Sequence, residues 1–111
     1  MKATELRINN WVQFKHTETP VRVTLGDFVK EYKDEHLDDY EPIPLTEEWL
    51  DKFGFENNSI NLDEEGFLHL DISFIGGVNV YINDMEYPHI NHVHQLQNLY
   101  FALTQEEIKC S

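Results

Sequence analysis

Apolar and polar residues alternate between Ser59 and Ile82, and this period of two constrains the fold more than any other feature of the sequence. Successive side chains of a β-strand point to opposite faces of a sheet, so alternation indicates strands that bury one face. Turn-forming residues interrupt the alternation at 63–66 (Asp-Glu-Glu-Gly) and at Gly76-Gly77. The segment therefore predicts three antiparallel strands joined by two tight turns, a β-meander.

A shorter alternation lies near the N-terminus. Apolar residues recur near period two from Leu6 to Phe14, and again from Val21 to Leu25 after a break at Thr19-Pro20. Two strands separated by a short polar turn indicate a hairpin. The segment that follows, about 27–41, is interpreted as a long acidic connection, because the charges around its apolar residues suit a solvated loop.

Two segments carry helical signals. Thr46 is a favourable N-cap before Glu47 and Glu48, and Gly54 suits the left-handed position after a short helix. Near the C-terminus, apolar residues recur at helical spacing, which predicts an amphipathic helix over His92–Leu103. The prediction is a single α+β domain over 1–111. It has an antiparallel β-sheet (N-terminal hairpin plus central meander), a short middle helix, and the C-terminal helix packed on the sheet.

Acidic residues dominate the composition. The formal net charge is −13 at pH 7, and no Lys or Arg occurs from Phe53 to Ile108, where there are nine Asp or Glu. A strongly negative chain is repelled by nucleic acids and anionic membranes and is attracted to basic protein surfaces. No apolar stretch approaches the ~20 residues that a membrane helix needs. A single cysteine, Cys110, fits a reducing compartment, so a cytoplasmic location is expected.

The acids form two groups that we predict to bind a partner. The first group is Glu31, Asp34, Glu35, Asp38, Asp39 and Glu41, and the second is Asp63, Glu64 and Glu65. The Arg and Lys side chains that bind phosphate also bind carboxylate, so spaced acids imitate a phosphate backbone. The expected partner is therefore a basic nucleic-acid-binding protein, with no direct binding of nucleic acid or membrane. The alternative is that the charge serves solubility only.

One histidine cluster has metal-ligand chemistry, His89-x-x-His92-x-His94, with Asp84 and Glu86 just upstream. Its spacing matches no standard zinc motif, and on a helix His92 and His94 would point to different faces. No metal and no cofactor are expected, and these three histidines are weak candidates only. Cys110 lies next to the C-terminal residue and no Gly-flanked Ser marks a nucleophile elbow, so no catalytic residue and no enzymatic activity are predicted.

Three stretches of the chain have a distinctive sequence: LRINNWV at 6–12, PIPLTEEWLDKFGF at 42–55 and VHQLQNLYFALT at 93–104. Together they resemble a family of small proteins found in Bacteroidota genomes, prophages and phages. The family pattern more often has Gly at the positions of Asn10 and Gln105, so those two turns are expected to differ here. The resemblance implies a mobile-element setting in a bacterial host cell, and it transfers no catalytic residue.

Three functional hypotheses follow. In the first, the chain is a non-enzymatic inhibitor of phage origin, a monomer or small homo-oligomer. It occupies the nucleic-acid-binding surface of a host protein such as a CRISPR effector nuclease, as anti-CRISPR inhibitors of RNA-guided nucleases do. In the second, it is an accessory or structural phage protein whose acidity is incidental. In the third, it is a metal-dependent enzyme at the His89/His92/His94 loop.

Overall fold

A computed structural model describes residues 1–34 and 36–110 and confirms the α+β class, with two antiparallel sheets and three α-helices in the described chain. The α-helices are α1 (Leu25–Asp34), α2 (Glu47–Lys52) and α3 (Val93–Thr104). The strands are β1 (Trp11–Phe14), β2 (Pro20–Arg22), β3 (Tyr40–Glu41), β4 (Ser59–Asn61), β5 (His69–Ser73), β6 (Asn79–Ile82) and β7 (Met85–Tyr87). Two single-turn 3-10 helices cover Ala3–Glu5 and His36–Asp39. No helix in these residues combines the length and apolar character required to cross a bilayer.

The described residues form two compact units. Unit 1 contains Met1–Pro44 together with His92–His94, and unit 2 contains Leu45–Asn91 and the chain from Gln95 onward. Unit 1 has a core of five buried residues flanked by three half-buried ones. The buried residues are Leu6, Val12, Val23, Leu37 and Tyr40, and the flanking ones are Met1, Val21 and Phe28. In unit 2 buried apolar residues come from α2, β5, β6 and α3 and also from the segments between and after them, at Leu45, Phe53, Phe55, Ile90 and Ile108.

The sheet of unit 1 has the strand order β2-β1-β3, with both pairs antiparallel. The predicted N-terminal hairpin is confirmed, and β3 adds a third strand beyond β1 that the sequence did not predict. The second strand is shorter than predicted because it ends at Arg22. Val23 is fully buried, but Leu25 leaves the strand and becomes the first residue of α1.

The predicted acidic connection at about 27–41 is wrong for most of its length, because α1, a 3-10 turn and β3 occupy the described part of it. A capping box opens α1. The Thr24 backbone N–H donates to Asp27 Oδ2 at 2.8 Å, and the Asp27 backbone N–H donates to Thr24 Oγ1 at 3.4 Å. Phe28 then packs against the unit 1 core. Capping and this contact stabilise a helix despite the surrounding charge.

The sheet of unit 2 has the order β4-β5-β6-β7, and all neighbours are antiparallel. The predicted meander is confirmed as a separate sheet, and it continues beyond the three predicted strands into β7. A two-residue turn, Asn83-Asp84, connects β6 to β7 with φ values of 48° and 68°. Both residues are left-handed, as a type I′ hairpin turn requires, and Asn and Asp tolerate this conformation.

The two predicted helices of the middle and the C-terminus are confirmed. Thr46 Oγ1 accepts a hydrogen bond from the Trp49 backbone N–H at 3.4 Å, and Gly54 has φ 83° after α2. The Phe55 backbone N–H donates to the Leu50 carbonyl at 3.0 Å, which closes the C-terminal end of the helix. In α3, Val93, Leu96 and Leu99 are buried at helical spacing.

Candidate protein-interaction surface

The first group of predicted partner-binding acids lies in unit 1, and the structure gives its members different roles. Asp38 and Asp39 are exposed on the 3-10 turn that follows α1. Glu31 is half-buried, and its Oε2 accepts a hydrogen bond from the Leu37 backbone N–H at 2.6 Å. Glu41 is also half-buried, and its Oε1 accepts from Gln13 Nε2 at 2.8 Å. Asp34 is the last residue of α1; its side chain, like Glu35, lies outside the described part of the structure.

A buried carboxylate holds this part of unit 1 together. Asp27 Oδ1 accepts hydrogen bonds from the Tyr40 hydroxyl and from His36 Nε2, each at 2.9 Å. Burial raises the pKa of Asp27, but hydrogen bonds from Thr24, Tyr40 and His36 outweigh it and lower the pKa below its ordinary value. Burial and the neighbouring Asp27 carboxylate raise the pKa of Tyr40 to about 12. The network thus ties the start of α1 to the 3-10 turn that presents Asp38 and Asp39.

An apolar stripe on α1 is exposed in the same unit as these acids. Leu25, Val29 and Tyr32 lie at positions i, i+4 and i+7, which share one face of a helix, and their exposed fractions are 65%, 56% and 92%. We call these three residues the α1 stripe. They were missed in the sequence because the segment was interpreted as a loop. The signal that would have found them is the Thr24-x-x-Asp27 capping box, which sets the helical phase of the following residues.

The second group of acids lies in unit 2, on the connection between β4 and β5. Asp63, Glu64 and Glu65 are all exposed. Asp63 Oδ1 accepts a hydrogen bond from the Leu68 backbone N–H at 3.3 Å, which shapes the turn before β5. The structure therefore confirms these residues as a polar turn between two strands, as the meander pattern predicted.

Three histidines, His89, His92 and His94, were weak candidates for metal ligands. Among the residues that the structure describes, no group of three metal-ligating side chains within 4.8 Å of one another includes His89, His92 or His94. His89 is exposed with φ 72°. His92 and His94 do not point apart: their rings are stacked with centroids 5.9 Å apart, because His92 precedes the helix and does not follow its phase.

His94 is buried, and its Nδ1 has no hydrogen-bond partner within the described residues. Burial lowers the pKa of His94 to about 4, and the charge of neighbouring His92 acts in the same direction, whereas Glu5 opposes it. The ring is therefore neutral at neutral pH. A neutral, buried imidazole fits a structural role in unit 1.

In unit 1, the arrangement combines exposed apolar side chains on a capped helix with exposed carboxylates on the next turn of the chain. Such a combination can provide the apolar centre and the charged rim of a protein–protein interface. Comparison of the chain with protein-family profiles, with curated proteins and with solved structures found no match.

Proposed function

We propose that this chain is a non-enzymatic interaction protein of a phage or prophage, which binds the basic nucleic-acid-binding surface of a host protein and inhibits it. An RNA-guided nuclease of the CRISPR type is the proposed target class, and the bacterial cytoplasm is the proposed location. The observation that carries the proposal is the α1 stripe with the exposed carboxylates of Asp38 and Asp39 in the same unit.

The apolar part of the surface would supply affinity. Leu25, Val29 and Tyr32 repeat the i, i+4, i+7 pattern by which a helix enters a partner's groove. A large exposed tyrosine is a typical anchor, because it buries much surface at a low entropic cost. Solvent exposure of three large apolar residues on one helix face is otherwise unfavourable and marks interaction sites on soluble proteins.

The acidic part would supply specificity for a basic partner. The net charge of −13 steers the chain toward positively charged surfaces, and carboxylates offer the same acceptor oxygens as phosphates to Arg and Lys. An acidic chain that occupies such a surface competes with nucleic acid without carrying out a reaction. The resemblance to phage-associated proteins supports a host nucleic-acid-binding protein as the target.

The alternative is an accessory or structural phage protein whose acidity is incidental. The distribution of acids favours this alternative, since exposed carboxylates occur in both units and include Asp63, Glu64 and Glu65. In addition, Glu31 and Glu41 already make hydrogen bonds within unit 1. A general role in solubility would make all exposed acids equivalent, whereas the proposed inhibitor would depend on Asp38 and Asp39, which lie in the same unit as the α1 stripe.

A competition experiment separates the two functions. The immobilised full-length chain is incubated with host lysate, and retained proteins are eluted first with duplex DNA and then with high salt. If the chain is an inhibitor, DNA releases proteins that also bind DNA-cellulose. Two variants, one with Val29 and Tyr32 changed to Ser and one with Asp38 and Asp39 changed to Lys, should lose those proteins.

The matched control changes Asp63, Glu64 and Glu65 to Lys, which alters more charge but leaves the α1 stripe intact. This control should retain the DNA-competed proteins. Equal loss in the control and in the Asp38/Asp39 variant would indicate a nonspecific charge effect and would favour incidental acidity. Retention of the same proteins by both the Val29/Tyr32 variant and the Asp38/Asp39 variant would contradict the proposed surface.

A further inference from the structure

We propose that the outer face of the four-stranded sheet binds a divalent transition-metal ion through His69, Asp71 and Asp84. This site goes beyond the proposed function and does not depend on it. One ligand atom from each of these residues lies within 4.8 Å of the other two, and His69 Nε2 is 3.2 Å from Asp71 Oδ2. No sequence motif indicated the site, because its ligands come from two separate elements, β5 and the turn after β6.

The strand positions two of the ligands. His69 and Asp71 are two residues apart on β5, so their side chains lie on the same face of the sheet. Leu70 and Ile72 are buried on the opposite face, which fixes the direction of the strand. Register is strongly specified in a strand with one buried face. The pair of ligands is therefore held in place by the core of unit 2.

The turn between β6 and β7 positions the third ligand. The Asn83 side chain accepts a hydrogen bond from the His69 backbone N–H and donates one to the Phe67 carbonyl, each at 2.9 Å. The Asn83 backbone N–H also donates to the His69 carbonyl at 3.1 Å. Because Asp84 follows Asn83 in a tight left-handed turn, these bonds keep its carboxylate next to His69.

The distances fit a metal ion after small side-chain adjustments. Zinc binds imidazole nitrogen and carboxylate oxygen at about 2.1 Å, which places two ligands of a tetrahedral ion about 3.4 Å apart. The His69–Asp71 distance of 3.2 Å is already close to this value. One imidazole with two carboxylates suits zinc or a similar first-row ion, whereas calcium and magnesium prefer all-oxygen sites. Solvent would complete the coordination, since Asp84 is exposed.

The charge of the region independently favours a cation. Asp71 and Asp84 lie close together. A third acid, Glu86 on β7, is the strand-register partner of Tyr81 on β6, and Tyr81 is in turn the register partner of Asp71. From residue 53 to 108 the chain has nine acids and no Lys or Arg. Within residues 53–108, histidine is therefore the only side chain that can carry a positive charge and reduce the repulsion between the carboxylates. A bound divalent ion would neutralise both ligand carboxylates and leave the His69 ring neutral.

The test measures binding of Zn²⁺ to the untagged full-length chain by calorimetry, with Co²⁺ absorption as a second signal for coordination. One ion per chain is expected. The variants His69→Gln, Asp71→Asn and Asp84→Asn should each weaken affinity by more than roughly tenfold. Asn tolerates the left-handed conformation of Asp84, so the turn is kept in that variant. Thermal unfolding verifies that each variant is folded.

Matched controls distinguish a site from general charge. Glu86→Gln removes the same charge as Asp84→Asn, and His16→Gln removes an exposed histidine of unit 1; both should bind Zn²⁺ as the wild type does. Unchanged affinity in Asp84→Asn would show that the Asp84 carboxylate is not a ligand of the ion, which overturns the three-residue site. Absence of stoichiometric binding, or loss with His92→Ala but not with His69→Gln, would overturn it as well.

Discussion

Burial gives His94 an acid–base behaviour unlike that of an exposed histidine. Its ring must stay neutral in the folded chain because protonation would place a charge in a desolvated position beside His92. The unfolded chain has no such restriction and binds a proton at the ordinary histidine pKa of about 6.5. The protonation equilibrium of this residue is therefore coupled to folding.

The first prediction concerns this coupling. Because the pKa of His94 is about 4 in the folded chain, its contribution to stability is complete above pH 6.5 and is lost as the pH falls toward 4. The total loss from this residue is about 3 kcal/mol. Urea unfolding of the wild type and of His94→Leu at several pH values measures it. The slope between pH 6.5 and 5 should be smaller in the variant.

An exposed histidine provides the control for that experiment. His16→Leu removes a histidine that is exposed and outside the core of unit 1, so its pH curve is the reference against which the smaller slope of His94→Leu is judged. Parallel curves for His94→Leu and the wild type would mean that the His94 ring is protonated as readily in the folded chain as in the unfolded one.

Two departures of this sequence from the pattern of the family it resembles can be compared with the backbone at those positions. Gln105, where the resembled family more often has Gly, has φ 60° after the end of α3. A left-handed residue at this point is the usual C-terminal signal of a helix, and Gly adopts it without strain. At the other departure, the left-handed residue is Asn9 rather than Asn10. We have no backbone reason for Gly at position 10.

At the scale of elements, the sequence predicted the helices and strands for which the apolar periodicity and the residues at the ends indicate the same element. α2 has Thr46 and Gly54 at its ends, and α3 has a clear apolar spacing. α1 was missed because acidic residues obscured its apolar face, although its capping box was present. β7 was missed because Asn83-Asp84 forms a hairpin turn without glycine. In both cases, hydrogen bonds between side chain and backbone decided the structure.

The candidate surfaces also differ in whether the sequence could predict them. Exposure of the Asp63 to Glu65 turn followed from the meander pattern, because a turn between strands is solvated. The α1 stripe required the helix itself, and the cluster of His69, Asp71 and Asp84 required the pairing of β5 with β6 and the turn after it. Contacts between strands depend on register, which sequence spacing alone does not give.

The second prediction concerns the packing of α3. Leu96→Ala and Leu99→Ala should each lower the free energy of unfolding by about 2–5 kcal/mol, because both side chains are buried and truncation leaves a cavity. Leu103, at the end of the same helix, is 36% exposed and serves as the control. Its truncation should cost under about 1 kcal/mol. Chemical unfolding monitored by tryptophan fluorescence provides the measurement.

The opposite outcome would also be informative about α3. A loss under roughly 1 kcal/mol at both Leu96 and Leu99 would show that the apolar face of this helix contributes little to the folded state. That face would then be available to a partner, and α3 would be an alternative to the α1 stripe as the partner-binding surface.

At the scale of the whole molecule, the excess of negative charge opposes compact folding. Carboxylates that are brought together on folding repel one another, and a net charge of −13 on 111 residues leaves few cations to offset them. Salt bridges of the described chain reflect this scarcity. Lys52, for example, lies 3.6 Å from Glu48 and above the Trp49 ring, so one cation serves two neighbours.

The third prediction follows from this repulsion. Raising sodium chloride from low ionic strength to about 0.5 M should stabilise the free chain, because the screening length falls below the spacing of most surface charges. We expect a rise in Tm of about 4 °C, equivalent to about 1 kcal/mol for a domain of this size. Differential scanning calorimetry measures it. Changing Asp38, Asp39, Asp63, Glu64 and Glu65 to Lys should reduce the effect, and a Tm that falls with salt would contradict it.

The uneven distribution of Lys and Arg along the sequence also determines where reagents and enzymes that act on these residues can modify or cleave the chain. Trypsin cleaves after Lys and Arg, so complete digestion leaves everything from Phe53 to Lys109 as one fragment, including the whole four-stranded sheet. Amine-directed cross-linkers, acetyltransferases and ubiquitin ligases have no target side chain between these residues. A glutamate-specific protease would cut this half of the chain at several points, and it is the reagent to use for mapping its protection by a partner.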